Sequence, residues 1–456
     1  MRAAFSLALV LLLAACASLP RIGDIYPTGK PPVLVSSRGP LTAQQSQAIL
    51  NRISTEPGDA GILKRHVAID EAVAETPLVP GNRTHLLQDG DETFRAMFAA
   101  IKSARQHINL EYYIFEDVES DGEHLGDLLI AKRQAGVAVN IIYDSYGSKA
   151  TKEDFFKRLK QAGINLVEFH PINPLQTRTE YAPNNRDHRK ILVVDGDKAI
   201  IGGINISTTY QSSAFSTSGG STNNTNQHWR DTDIEIDGPV VAQLQALFVA
   251  QWSKQKGPAL ATDGFFPTVR PMGTEVVRII GSTPDKSIPE YYVTLLSSIR
   301  NAEKNVWVSA AYFVPADQEE DDLMAAARRG VDVRLLLPGT SDSAMAAAVA
   351  HSHYGDLLNA GVKIYETKND LVLHSKTVVI DGVWTLIGSS NFDRRSILYN
   401  DEVDGLVLGS ATGEEFQRMF AADIAKAQPI DIATWKRRSL GEKALEVFAT
   451  VWQDLL

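Results

Sequence analysis

The sequence predicts an α/β protein of two homologous domains related by a pseudo-twofold, each a mixed, largely parallel sheet flanked by helices. Three observations carry that reading. Strand-like runs alternate with amphipathic helices at short spacing, the order of these elements recurs in the second half, and one polar motif stands at the same place in both copies. A chain of 456 residues also exceeds one ordinary core, because domains run about 100–200 residues and cores stop growing near 300.

Met1 and Arg2 open the chain, and residues 3–15 form an uncharged apolar run that ends Leu13-Ala14-Ala15-Cys16. That run falls short of the roughly 20 apolar residues that span a bilayer and suits the apolar segment of a secretory signal over 1–16. Cys16 is the one cysteine, which excludes an intrachain disulfide and any Cys-based zinc site, since both need two thiols. Residues 17–80 carry many Pro, Gly, Ser and Thr, apart from a polar helical stretch over 42–54, and read as a tether and lead-in.

The first domain is expected over 81–256. Phe94, Met97, Phe98 and Ile101 recur with helical period, and a strand-like run follows over 108–115. A helix over 125–134, a strand over 137–143, a helix over 152–161 and a strand over 164–169 come next, with Gly136 and Gly163 at the helix ends. Such alternation predicts parallel strands with helices packed on the sheet faces. A linker over 257–274 leads to the second domain, 275–456, where the order repeats. Tyr292, Leu295, Leu296 and Ile299 make the helix stripe and 306–314 the strand. The run from Ala325 to Val333 matches that from Ala131 to Val139, and the run from Ala360 to Glu366 matches that from Ala162 to Glu168.

Each half then carries a block of identical spacing. His188-Arg-Lys190 precedes four apolar residues, Asp195, Gly202-Gly203 and Asn205; His374-Ser-Lys376 precedes Thr377, three apolar residues, Asp381, Gly388-Ser389 and Asn391. An isolated His-x-Lys on a strand is usually surface decoration, but the repeat in equivalent positions at one constant offset reverses that reading. On a strand of period two, His188 and Lys190 share a face about 6–7 Å apart. That pair suits an oxyanion: lysine supplies fixed charge, Asn205 or Asn391 adds amide donors, and histidine serves as nucleophile or as acid/base. A displacement with a covalent intermediate needs both a nucleophile and a proton donor for the leaving group. Two halves facing each other supply both. His351 and His353 stand two apart on an expected helix and do not face together. No other His, Cys or carboxylate cluster has metal spacing, so no metal or cofactor is expected. Tyr112, Tyr113, Tyr312 and Phe313 read as core or pocket wall.

The double block resembles the phospholipase D superfamily, whose signature is HxK(x)4D followed by a small-residue pair and Asn. The stretches Gly81 to Gly90, Ile108 to Glu116, Ala311 to Pro315 and Gly388 to Ser396 look most like its bacterial cardiolipin synthase branch. The resemblance implies phosphatidyl transfer through a phosphohistidine. His188 attacks phosphorus, His374 protonates the departing alcohol, and Lys190, Lys376, Asn205 and Asn391 hold phosphate oxygens. It also implies an acidic residue downstream of each block that orients an imidazole, and aligning the halves puts Asp231 opposite Glu402. Asp195 and Asp381 follow the strand, out of reach of their own histidines, and read as structural. The two blocks are nearly symmetric, so only the resemblance selects His188 as nucleophile. Small residues before Cys16 resemble a lipoprotein signal, with Cys16 lipidated; Ala17 after it implies a bacterial outer membrane, the enzyme facing the periplasm. Cardiolipin synthases typically begin with transmembrane helices, where a lipoprotein-like signal and a tether are expected here. Residues 212–226 insert a polar Gly/Ser run between Asn205 and Asp231, a surface loop or a lid.

The expected partners are a membrane surface and phospholipid substrates: phosphatidylglycerol, cardiolipin or phosphatidylethanolamine. The alternatives are hydrolysis by a phospholipase D, a nuclease of the same superfamily, and a silent lipid-binding scaffold. Against the nuclease, 45 Lys and Arg face 55 Asp and Glu for a net charge of -10, which repels a polyanion. Against the scaffold stand the intact paired His, Lys and Asn sets. A monomer without nucleic acid is expected.

Overall fold

The computed structural model describes residues 19, 21–23, 25, 32–54, 59–177, 179, 181–211, 228–286, 289–341, 343–368, 371–451 and 453. The signal read at 1–16, with Cys16, and the insertion at 212–226 lie outside them.

Among the described residues, both halves build one sheet of sixteen strands. In the first half, His107–Tyr112, Ala138–Asp144 and Asn165–Phe169 pair in parallel. The helices Leu125–Gln134 and Glu153–Gln161 make the crossovers that parallel neighbours require. Beyond this unit the chain returns through turns, and the strands Lys190–Val194, Lys198–Gly202 and Thr232–Asp237 add antiparallel. The second half repeats the order. Asn305–Ala310, Asp332–Leu337 and Lys363–Glu366 are parallel, and Lys376–Ile380, Trp384–Gly388 and Asn400–Leu408 are antiparallel. The sheet is therefore mixed, with three strands pairing in parallel in the outer part of each half and Gln428–Pro429 added antiparallel at the edge of the second. The strands nearer the centre have no crossover helix between them, so the expected predominance of parallel pairing stops there.

The halves join where Val79–Gln88 pairs antiparallel with Glu275–Ser282. One apolar cluster crosses this join: Ile191, Val193, Ile201 and Ile234 from the first half pack with Val277, Ile279, Ile387 and Val403 from the second. Each such side chain contributes about 1.5–3 kcal/mol by leaving water, so the two repeats are bound into one body.

The stretch read as a tether is not one over 34–54 and 59–80. Helices Ala43–Arg52 and Asp59–Val73 put Leu50, Leu63 and Val67 into the core of the second half. His66 Nε2 lies 3.1 Å from Asp381 Oδ2, and Trp384 Nε1 donates to Asp70 Oδ2 at 3.1 Å. Apolar burial and two buried polar pairs fix this segment.

Asp195 and Asp381 adopt left-handed φ values of 50° and 56°, which Asp tolerates better than most residues. Asp195 accepts the backbone N–H groups of Arg105, Gln106 and His107, and Asp381 those of Glu303, Lys304 and Asn305. Each carboxylate ties the end of its strand to the start of the neighbouring one.

Candidate active site

Short segments just before each motif leave their own half. Arg186–Asp187 pairs in parallel with Asn400–Asp401, and His188 N donates to Asp401 O at 2.9 Å. In the other copy, His228–Arg230 pairs in parallel with Leu371–Leu373, and His374 N donates to Arg230 O at 2.8 Å. His188 therefore does not share a continuous strand with Lys190, as simple period-two counting predicts. The regular strand starts at Lys190, because the histidine is held by the opposite half.

This exchange brings each imidazole to a carboxylate from the other repeat. His188 Nδ1 lies 3.0 Å from Glu402 Oε2, and His374 Nδ1 lies 2.7 Å from Asp231 Oδ2. Both carboxylates are fully buried. Glu402 also accepts from Ser389 Oγ, from Ser396 Oγ at 2.9 Å and from Asn400 Nδ2 at 3.2 Å. Burial opposes its charge, yet His188, Lys190 and Ser389 hold its carboxyl below the usual range. Burial pushes the His188 imidazole down to about 4 against the pull of Glu402. Burial, then the Lys376 ammonium, also lowers His374, while Asp231 opposes them. Nδ1 of each ring is thus turned to a carboxylate, and His374 Nε2 lies 3.4 Å from Lys376 Nζ.

The lysines stand behind the histidines rather than in the cleft wall. Lys190 Nζ donates to His188 O at 2.6 Å, and Lys376 Nζ donates to His374 O and lies 2.9 Å from His374 Nδ1. Burial pushes the Lys190 ammonium down to about 7. Asn205 and Asn391 line the cleft with both histidines. Asn205 Oδ1 accepts from Ile114 N at 3.1 Å, and Asn391 N donates to Ser396 Oγ at 3.0 Å.

The cleft measures about 300 Å³, with Tyr113, Tyr210, Trp229 and Tyr312 among its walls and Arg186 and Arg395 at its polar side. Tyr113 and Tyr312 are thus pocket wall, while Tyr112 and Phe313 are core. Sequence reasoning missed Tyr210, whose hydroxyl lies 3.0 Å from His374 Nδ1. Its counterpart by repeat register is Ser396, on Glu402. Sequence reasoning placed Ser389 in the motif but not its hydroxyl on Glu402. A Cβ at the equivalent Gly203 would meet Asp231 Oδ1 at 2.2 Å, whereas Ser389 has room and supplies a hydroxyl. The mismatch between Gly203 and Ser389 was the available signal. Arg189, fully buried, donates to Glu111 Oε1, Glu402 O and Ser282 O at 3.1–3.3 Å and so clamps the halves beneath His188. His351 and His353 serve separate carboxylates, Glu366 at 3.0 Å and Glu320 at 2.8 Å.

Paired histidines and lysines at a pseudo-twofold cleft, each ring oriented from across the interface, define the phosphodiester-processing class with the phospholipase D fold. The comparisons narrow this. The family described as "Cardiolipin synthase, PLD-like domain" matches residues 97–252 and 295–424. A cardiolipin synthase of Geobacillus sp. (strain WCH70) is 32% identical over 389 residues, 84% of this chain and 74% of that protein. Cardiolipin synthase 1 of Bacillus anthracis is 32% identical over 406 residues, 86% and 77% respectively. The crystal structure of phosphatidylserine synthase from Haemophilus influenzae Rd KW20 shares the fold at a TM-score of 0.63 and 13% identity, covering 86% of this chain and 98% of that one. The chain belongs to the phospholipase D superfamily, in its cardiolipin synthase branch, and is an enzyme of the phosphatidyltransferase kind.

Proposed function

We infer that the chain moves a phosphatidyl group from phosphatidylglycerol to a lipid alcohol, making cardiolipin, through a phosphohistidine on His188. The supporting observation is that two histidines from opposite halves line one cleft, each with Nδ1 on a carboxylate. In the first step His188 Nε2 attacks phosphorus. The new P–N bond forms as the P–O bond to glycerol breaks, and His374 Nε2 gives its proton to the departing oxygen. In the second step His374 Nε2 takes the proton of the incoming hydroxyl, whose oxygen displaces His188 from phosphorus. A neutral His188 beside an ionised Glu402 suits a nucleophile that gains positive charge as the P–N bond forms. The incoming phosphodiester anion favours the protonated form of His374 that the first step needs. Lys190 and Lys376 exchange a carbonyl for a phosphate oxygen, a stronger, charge-assisted partner, with the Asn205 and Asn391 amides beside them. Lipidation at Cys16 and a periplasm-facing outer-membrane site remain part of this reading, as does a monomer. Among the described residues no helix is long and apolar enough to cross a membrane.

Mass spectrometry of lipid products tests it. The chain from residue 17 onward is mixed with phosphatidylglycerol, with and without phosphatidylethanolamine. Cardiolipin is the expected product; phosphatidic acid alone would make water the acceptor, and no lipid product would sink the reading.

The pH profile follows from Lys190. Its ammonium carries charge below its pKa of about 7 and loses it as pH rises, so kcat/KM for free enzyme is expected to fall about tenfold per unit on the alkaline side. His374, the general acid, loses its proton on the same side and adds its own fall, so Lys190→Arg, charged throughout, should make that limb shallower rather than abolish it, at a lower absolute rate. A limb that persists unchanged in the variant assigns the ionisation elsewhere.

A further inference from the structure

A cleft of about 300 Å³ lies at the bottom of the range for ligand pockets. On the phosphatidyl-transfer reading it takes the phosphodiester with its glycerol units, and the acyl chains stay outside. The surface around the mouth then has to receive them.

The helix Leu440–Thr450 lies against that mouth. Its Ala449 is buried with Val314, Ala346 and Val349, and Val314 and Ala346 line the cleft. Its outer side is apolar: Leu440 is 84% exposed, Val447 70% and Phe448 55%, and Val451, just past its end, 73%. An ordinary surface helix turns such a stripe inward. Just upstream, Lys436 and Arg437 are exposed. Glu446, the buried acid of the helix, is held by Arg438; the exposed Asp431 lies in the field of Arg437, and Lys436 Nζ donates to the neutral amide of Asn359 at 3.3 Å. A second part of the rim has the same character. Arg395, in the cleft wall, donates to Asn184 Oδ1 at 3.0 Å and to its carbonyl at 2.9 Å. The loop leading to Asn184 exposes Ile172, Leu175 and Tyr181.

An apolar helical stripe beside exposed cations is the chemistry of an interfacial helix on anionic lipid. A body with a net charge of -10 is repelled by such a surface, so a local basic pair decides which face approaches it. We propose that Leu440–Thr450, with Lys436 and Arg437, is a docking surface for an anionic phospholipid bilayer and lays the cleft mouth on the lipid. This rests on the phosphatidyl-transfer reading and adds where the membrane sits.

The test uses the chain from residue 17 onward, which keeps every described residue, and its Val447→Asp/Phe448→Asp variant. Transfer is measured on phosphatidylglycerol vesicles and on short-chain phosphatidylglycerol below its micelle concentration. The variant is expected to be at least tenfold slower on vesicles and within twofold of wild type on monomeric lipid. Lys436→Gln/Arg437→Gln should slow the vesicle reaction at low salt, with the difference closing at high salt. Equal vesicle rates for variant and wild type overturn the proposal. So does an equal fall on both substrates, which makes the helix a support of the fold. So does a wild-type dimer that the substitutions disperse without changing the vesicle rate. Flotation with the same vesicles separates the two readings. A wild type that floats while the Asp variant does not, with no turnover by either, supports docking and sinks the transfer chemistry.

Discussion

His188→Asn is expected to lower phosphatidyl transfer by about 10⁴-fold or more, the scale on which losing a nucleophile acts in covalent catalysis. Asparagine suits the test because its amide N–H can still donate toward Glu402, so a fully buried carboxylate is not left without a partner. Thermal stability should therefore change little while turnover disappears. His374→Asn should be comparably slow with natural lipids but for a different reason. A phosphodiester with a nitrophenol leaving group departs without a proton. His374→Asn is expected to release one equivalent of nitrophenol in a burst, whereas His188→Asn releases none. The opposite pattern would exchange the roles of the two histidines, which sequence symmetry alone does not distinguish.

What made the fold legible was local periodicity. Leu125–Gln134 is read directly from its sequence, and the constant offset between the two motifs pairs Lys190–Val194 with Lys376–Ile380 without any coordinates. Local pattern failed where distant contacts decide. Asp59–Val73 turns His66 and Asp70 inward, to Asp381 and Trp384, so polar residues interrupt the apolar stripe that would mark a packed helix. Both candidate acids came from the family resemblance together with the alignment of the halves, but their attachment was not legible. It depends on Arg186–Asp187 meeting Asn400–Asp401 and on His228–Arg230 meeting Leu371–Leu373, and pairs of two and three residues carry no periodic signal. Tyr210 and Ser396 occupy one register position with different chemistry, which marks where the repeats have diverged around their shared cleft.

That crossing carries the second large effect. In Glu402→Gln the loss of negative charge leaves His188 without stabilisation as positive charge develops, and the amide no longer enforces Nδ1–H. The corresponding change in a hydrolase triad costs about 10⁴-fold, and about 10³–10⁴-fold is expected for both Glu402→Gln and Asp231→Asn. The nitrophenyl substrate again separates them. Because Glu402 lies on His188 and Asp231 on His374, Glu402→Gln should abolish the burst, as His188→Asn does, and Asp231→Asn should retain it. An uncrossed arrangement, each acid serving the histidine of its own half, gives the reverse. Coupling provides an independent check. Residues acting as one unit are strongly non-additive, so His188→Asn/Glu402→Gln should be little slower than His188→Asn alone. Multiplicative losses in that double variant would mean that Glu402 acts on something other than the His188 ring.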